Sequence, residues 1–149
     1  NICKKDDQKI AFTLSDLFCV DRHRDSYKNL IKDVDILFGN QDEFSAMVNS
    51  KNLNDGISYA KSLNIISVVT LAEKGSLIIV GDKIVEIKAR SVSKVVDTTG
   101  AGDLYAAGFL YGFTHQKSYE ECGYLATVAA TEVISHFGAR PLIKLSSLI

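Results

Sequence analysis

The chain carries the stretch Asp97-Thr-Thr-Gly-Ala-Gly-Asp103, directly after two valines and directly before a segment with helical character, Leu104 to Phe113. Its two glycines allow close backbone approach and leave successive N–H groups uncovered at a helix N-terminus, where unpaired donors and the helix dipole favour an anion. A carboxylate at that terminus can accept a proton from an incoming hydroxyl. An anion hole combined with a base is what phosphoryl transfer to an alcohol requires.

The same spacing also has a purely structural interpretation, in which Asp103 only caps a helix after a glycine turn. Two other glycine fingerprints do not fit. No Lys-Ser/Thr pair follows, so the stretch is not a Walker A loop, and Tyr105 interrupts a GxGxxG pattern. The spacing alone therefore leaves both roles of Asp103 open.

The longer segment from Asp97 to Leu110, DTTGAGDLYAAGFL, resembles the second signature of the ribokinase/PfkB family of carbohydrate and nucleoside kinases. In that family the glycine stretch forms the anion hole and the final Asp is the catalytic base. The resemblance therefore implies that Asp103 is the base and that the backbone of Gly100, Ala101 and Gly102 meets the transferring phosphoryl group. It implies ATP-dependent transfer of a γ-phosphoryl group to an alcohol of a nucleoside or sugar.

A second motif follows an apolar run that ends at Phe38. Asn40-Gln-Asp-Glu43 matches the family's NxxE motif. A carboxylate with an amide one helical turn away can order the hydration shell of Mg²⁺, which prefers water, carboxylates and phosphates as ligands. Asn40 and Glu43 also form a capping-box pattern. Both roles can hold at once, and the resemblance favours the magnesium role.

The resemblance also implies contacts with the ATP nucleotide. One set of candidate residues follows the third predicted strand, and another lies in a helix rich in small residues that would line the adenine pocket. A helix face of small residues is also what tight core packing produces. Ala72 stands where the family often has Gly, and Lys74 is either a phosphate ligand or a solvated charge. The nucleotide candidates are Thr70, Ala72, Lys74, Gly75 and Thr127, the last of which replaces an Asn common in the family.

Relatives commonly hold a monovalent cation such as K⁺ beside the anion hole. For His136 the alternative is a histidine at a helix end, where it interacts favourably with the helix dipole. The candidate ligands implied by the resemblance are Asp97, Thr99 and the carbonyl groups near Val133, His136 and Gly138.

Apolar runs alternate with segments of helical periodicity, which predicts an α/β fold with a mostly parallel sheet flanked by helices. The resemblance implies a three-layer, ribokinase-like arrangement, of which this chain is the C-terminal half. Ligands in such sheets bind beyond the carboxyl ends of the strands, here after Phe38, Leu71 and Val96. We predict strands at Ile10–Leu14, Asp35–Phe38 and Ile66–Leu71, a hairpin of Leu77–Val80 and Ile84–Ile87, a strand end at Val95–Val96, and helices at Asp21–Val34, Glu43–Val48, Leu53–Leu63, Asp103–His115 and Tyr119–Phe137, the last stopped by Pro141.

Charge, apolar runs and cysteine spacing limit the classes of partner and the compartment expected for this protein. A formal net charge of -1 supplies no basic field for nucleic acid. The apolar runs are shorter than the roughly 20 residues that span a bilayer, so no membrane segment is expected. Cys3, Cys19 and Cys122 show no metal-ligand spacing and are interpreted as reduced thiols, which together with the resemblance predicts a cytoplasmic protein. A homodimer is left open.

The 149 residues fit one domain, and the first of them is Asn1 rather than Met. Because the resemblance covers only about the C-terminal half of the family's usual chain, we interpret 1–149 as the ATP-binding and catalytic part, without the N-terminal substrate and lid part, and expect this piece alone to be inactive. Phe12–Arg24 resembles the bacterial adenosine-kinase-like and sugar-kinase branch, with a charged helix start at Asp21.

Two other function classes remain as alternatives at this point. One is a non-catalytic ATP-binding or assembly module of the same fold. The other is an oxidoreductase with a doubly wound sheet, against which the absence of a GxGxxG motif after the first strand argues. The acceptor, whether adenosine, another nucleoside or a sugar, is not decided by the sequence.

Overall fold

The structure, a computed structural model, describes residues 8–148. Its contacts divide the chain into two compact units, the first ending at Leu71 but including Leu77–Ile84, and the second formed by Ala72–Ser76 and Val85 onwards. The helices are α1 (Leu17–Ile31), α2 (Gln41–Ala46), α3 (Leu53–Ser62), α4 (Ala101–Thr114) and α5 (Tyr119–Val133). The strands are β1 (Ala11–Thr13), β2 (Ile36–Asn40), β3 (Ile66–Thr70), β4 (Ser76–Val80) and β5 (Lys83–Ile87), in the sheet order β1-β2-β3-β4-β5.

The first unit is built on parallel pairing. Strands β1, β2 and β3 run parallel, and the Cα partners at their carboxyl ends include Asn40 and Thr70. The strands are nearly continuous runs of apolar residues because both faces of such a sheet are covered. Their side chains join those of the helices in a core that includes Leu37, Phe44 and Met47, all fully buried. The predicted strands and the mostly parallel sheet are confirmed, and the unit places Asn40 beside Thr70.

Helix α1 begins earlier than predicted. Asp16 is its N-cap, and the side chain accepts a hydrogen bond from the N–H of Phe18 at 2.7 Å, so the helix starts four residues before Asp21. The prediction that Asp21 starts the helix is therefore wrong. Asp21 lies inside α1, where it pairs with Arg24 at 2.8 Å close to a kink at His23.

The predicted strand end at Val95–Val96 is also wrong. Residues 88–100 form no strand, and Val95 is 52% exposed. The N–H of Val96 donates to the carbonyl of Ile134 at 2.8 Å, beyond the end of a helix. A strand requires a partner strand for its backbone groups. The apolar valines therefore belong to an irregular connection.

Helix α5 ends at Val133, not at Phe137. After the C-cap residue Ile134 the chain turns, and Gly138 adopts a φ of +94°, which is accessible to glycine. Pro141 lies well beyond this end, so it does not stop the helix. The other predicted helices are confirmed with shifts of a few residues at their ends.

The predicted hairpin is confirmed, since β4 and β5 are sheet neighbours joined at Gly81 and Asp82. Cys19 and Cys122 are free thiols, and Cys3 lies outside the described residues. In the part of the chain that the structure describes, none of the helices has the length and apolar character needed to cross a membrane.

Close packing of α4 on α5 gives a test of the second unit. A Cβ added at Gly108 would lie 2.6 Å from the carbonyl oxygen of Leu125 and 2.7 Å from Cα of Ala126. Alanine raises helix propensity by about 1 kcal/mol, but overpacking against backbone costs about 1–3 kcal/mol. We expect Gly108→Ala to lower the free energy of unfolding, measured by urea denaturation. Gly102→Ala is the control, because a Cβ there meets nothing within 4 Å; equal stability of the two variants would contradict this packing.

Candidate active site

The first turn of α4 presents backbone donors. Gly100, its N-cap, has a φ of +81°, and a Cβ there would lie 2.8 Å from Cβ of Ala139, so both conformation and space require glycine. The N–H of Ala101 donates to the carbonyl of Thr98 at 3.1 Å. Among residues 8–148, the next two amides, of Gly102 and Asp103, have no hydrogen-bond partner. These amides and the positive end of the helix dipole suit a phosphate.

Asp103 lies on the same turn. Its side chain is exposed, and it is the one acidic residue in the first turn of α4. The predicted anion hole and the predicted base are therefore adjacent on one helix end.

Asp97 ties this loop to the turn that follows α5. One carboxylate oxygen accepts from the N–H of Thr99 at 2.9 Å, and the other accepts from the N–H of Gly138 at 3.0 Å. Hydrogen bonds from the side chain and backbone of Thr99, and then from Gly138, lower the pKa of Asp97 to about 2. The structure thus brings three of the predicted cation ligands together, because Thr99 and Gly138 both contact the ionised carboxylate of Asp97.

His136 is held by a residue that the sequence analysis missed. Oε1 of Glu132 lies 3.2 Å from Nε2 of His136 and accepts from the N–H of Leu142 at 2.9 Å. Hydrogen bonding with the carbonyl of Phe137, and then with Glu132, raises the pKa of His136. The i, i+4 spacing of Glu132 and His136 is a recognisable pairing signal in the sequence. Val133, the remaining candidate, is the buried last residue of α5.

The predicted nucleotide loop runs from Thr70 to Gly75, and Thr70 and Leu71 belong to the first unit. The remaining residues belong to the second unit and form a short 3₁₀ turn at Ala72–Lys74. Ala72 has a φ of +52°, a left-handed conformation that is strained for a residue with a Cβ. At Gly75 the φ is +99°, and a Cβ would lie 1.9 Å from the carbonyl oxygen of Ile87, so only glycine fits. Lys74 is exposed.

Thr127 lies in the wall of a pocket of about 330 Å³ in the second unit. Its hydroxyl donates to the carbonyl of Gly123 at 2.9 Å. Charged and apolar side chains both line the pocket, a combination that suits a ring with polar substituents. The lining residues are Glu86, Ile87, Lys88, Arg90, Glu120, Tyr124, Thr127 and Val128.

The NxxE motif lies in the first unit, at the carboxyl end of β2. Glu43 is 5% exposed, and its two oxygens accept from the backbone and the side-chain amide of Asn40, each at 2.9 Å. The side chain of Asn40 in turn caps α2, so the capping box is present. Burial raises the pKa of Glu43, and the hydrogen bond from Asn40 opposes that shift. Thr70, across from Asn40, has its hydroxyl 3.5 Å from the carbonyl of Gly39.

Comparison with known proteins decides the family. The sequence model of the pfkB family of carbohydrate kinases matches residues 1–145. The chain belongs to the pfkB family. It is 39% identical over 114 residues to an uncharacterized sugar kinase of Archaeoglobus fulgidus, with 76% of this chain and 45% of that protein covered.

Two solved structures are similar over nearly the whole chain. A probable sugar kinase from Rhizobium etli superposes with a TM-score of 0.96 at 38% identity, covering 99% of this chain and 45% of that one. Adenosine kinase from Sinorhizobium meliloti gives 0.95 at 40% identity, covering 99% and 46%. This pfkB-family chain therefore has the ribokinase-like α/β fold that the sequence predicted, and it spans less than half the length of the relatives it matches.

A buried hydroxyl pair gives a test of the site's supporting structure. Tyr105, two residues after Asp103, is 7% exposed, and its OH lies 2.5 Å from the hydroxyl of Ser76. Because Tyr105→Phe leaves the Ser76 hydroxyl buried without this partner, we expect a loss of about 1–3 kcal/mol in the free energy of unfolding. Adding Ser76→Ala should then cost less than it does alone. Tyr111→Phe, on the exposed face of α4, is the control and should change stability little; additive effects at Ser76 and Tyr105 would refute the pairing.

Proposed function

We propose that the protein transfers the γ-phosphoryl group of ATP to a hydroxyl of a nucleoside, adenosine-like, or of a sugar. The observation that carries this is the first turn of α4, where the exposed carboxylate of Asp103 adjoins two unpartnered amides. The likeness to a protein named adenosine kinase and to two named sugar kinases supports both acceptor classes. A non-catalytic ATP-binding module is the alternative, and the substitution of Asp103 below separates the two.

In the proposed reaction, Asp103 accepts the proton of the acceptor hydroxyl while the hydroxyl oxygen forms a bond to the γ-phosphorus. The bond between that phosphorus and the oxygen bridging to the β-phosphate breaks, and ADP leaves with the electron pair. The backbone of Gly100, Ala101 and Gly102 forms the cradle for the developing negative charge, and the free N–H groups of Gly102 and Asp103 supply its donors. Positioning and charge stabilisation carry most of the catalysis in phosphoryl transfer.

Four of the candidate nucleotide ligands lie in the second unit. Thr127 belongs to a pocket wall, and Ala72 and Gly75 have left-handed backbone conformations, with the N–H of Gly75 donating to the carbonyl of Ala72 at 3.1 Å. Lys74 is exposed and carries the charge that a phosphate attracts. Thr70, in the first unit, is the fifth candidate nucleotide ligand.

Mg²⁺ would neutralise charge on the phosphates of ATP. Glu43 fits a role through a bound water, because each of its oxygens accepts one hydrogen bond from Asn40 and retains a second lone pair. A monovalent cation such as K⁺ would take Asp97 and Thr99 together with carbonyl groups near Val133, His136 and Gly138. Its fit rests on the position of the Asp97 carboxylate, which accepts hydrogen bonds from the backbone of both Thr99 and Gly138 and so lies among these candidates.

Substitution of Asp103 tests the base. Asp103→Asn in the full-length protein keeps the shape of the side chain but removes its basicity. We expect ATP binding to persist and the phosphoryl-transfer rate to fall about 10²–10⁴-fold, the usual contribution of a positioned base. Coupled ADP release and calorimetric titration of ATP measure the two quantities. Asp82→Asn, in the exposed turn between β4 and β5, is the matched control; near-normal turnover of Asp103→Asn would remove Asp103 from the role.

Substitution of Glu43 tests the metal role. Glu43 accepts from both the backbone and the side-chain amide of Asn40, whereas Gln has a single acceptor oxygen. We therefore expect Glu43→Gln to fold but to lose about 1–3 kcal/mol in the free energy of unfolding. It removes a negative charge near the proposed Mg²⁺, so we expect the Mg²⁺ concentration for half-maximal activity to rise. Magnesium titration of both proteins decides this. An unchanged midpoint would leave Glu43 with the capping role alone.

The domain assignment is part of the proposal. Residues 1–149 would form the ATP-binding and catalytic part of the kinase domain, with the contacts that select the acceptor supplied from elsewhere in the full-length protein, and assembly as a homodimer remains a prediction. We expect the 149 residues alone to bind Mg-ATP without acceptor-dependent ADP release when adenosine, ribose or fructose is added, because an acceptor that is not held in line does not react. Robust release would show that these residues suffice.

A further inference from the structure

Glu132 has a buried carboxylate with an unusual environment. Its side chain is 7% exposed, and among the described residues its Oε2 is buried without a hydrogen-bond partner, while Oε1 has two. Burying a carboxylate costs free energy that apolar packing at the end of α5 would avoid. A residue that retains this cost is a candidate for a role beyond packing.

Both contacts of Oε1 reach the turn that follows α5. One is to Nε2 of His136 at 3.2 Å, and the other is to the N–H of Leu142 at 2.9 Å. Gly138 and Ala139 lie between these two points of attachment. Glu132 therefore fixes the turn on both sides of its centre.

The centre of the same turn contacts the loop that precedes α4. The N–H of Gly138 donates to Asp97 at 3.0 Å. Ala139 lies so close to Gly100 that a Cβ on Gly100 would be 2.8 Å from its own Cβ. The start of the turn also holds the loop, through the hydrogen bond from Val96 to Ile134 at 2.8 Å.

We propose that Glu132 is a positioning residue for phosphoryl transfer. It holds the turn from Ile134 to Leu142 against the loop from Val96 to Gly100, and through that loop it sets the position of the free amides of Gly102 and Asp103. This inference rests on the proposed function. A displacement of about 1 Å in such a site can cost on the order of 10²-fold in rate.

Two substitutions of Glu132 in the full-length protein separate positioning from simple structural support. Glu132→Met matches the length of the side chain but accepts no hydrogen bond of comparable strength, whereas Glu132→Gln keeps an oxygen that can accept from Leu142. We normalise kcat to the number of ATP sites found by titration. Glu132→Met should lower this kcat about 10–100-fold and leave KM for the acceptor within about twofold, whereas Glu132→Gln should retain most of kcat. Glu121→Gln, in the capping box at the other end of α5, is the control and should leave kcat unchanged.

Hydrogen–deuterium exchange supplies a readout that is independent of turnover. In Glu132→Met we expect faster exchange both in residues 134–142 and in residues 97–103, with the interiors of α4 and α5 unchanged, and Glu132→Gln should reverse both effects. If Glu132→Met does not fold, Glu132→Ala takes its place.

Three results would overturn the proposal: unchanged kcat per titrated site in the variant without an acceptor, faster exchange confined to 134–142, or failure of Gln to restore either quantity. A full-length protein that phosphorylates no acceptor would instead refute the proposed function, and the exchange data would still show whether Glu132 holds the turn against the loop.

Discussion

An ionised carboxylate holding two separate stretches of backbone is the interaction on which the candidate site depends. Asp97 accepts hydrogen bonds from Thr99, two residues further along the chain, and from Gly138, 41 residues further along. Hydrogen bonds from the side chain and the backbone of Thr99, and then from Gly138, lower its pKa to about 2, so it remains charged near neutral pH. Gly100, which comes directly after Thr99 in the chain, has a left-handed conformation and packs against Ala139. The free amides at the start of α4 are placed by these neighbours, because Gly100 and Gly102 have no side chains that could fix this part of the loop.

Two capping boxes show why a local motif does not by itself identify a functional residue. Asn40 with Glu43 and Ser118 with Glu121 make the same reciprocal hydrogen bonds at the starts of α2 and α5. Glu43 is buried and its pKa is raised, whereas Glu121 is exposed and the hydrogen bonds from Ser118 lower its pKa. The two capping boxes therefore share the same hydrogen bonds, but the pKa of the glutamate is raised in one and lowered in the other. The difference comes from what packs around each helix start, which supports a separate role for Glu43 at the carboxyl end of β2.

Strained or buried groups occur in the predicted nucleotide loop and in α4. Ala72 takes a left-handed conformation, Gly75 cannot carry a side chain, and Tyr105 keeps a buried hydroxyl paired with Ser76. Each of these features costs stability unless the surrounding structure compensates for it. Packing around the nucleotide loop and α4 has to supply that compensation.

The sequence by itself determined the α/β class, the strands β1 to β3, the hairpin and the Asp97–Asp103 motif, because periodicity, turn residues and capping patterns are local. Only the tertiary structure decided the end of α5, the irregular course of Val95 and Val96, and the attachment of Glu132 to Leu142. These depend on hydrogen bonds between residues that are distant in the chain, such as that from Val96 to Ile134. A local pattern cannot report a partner that folding brings close, so the support of the anion cradle was visible only in three dimensions.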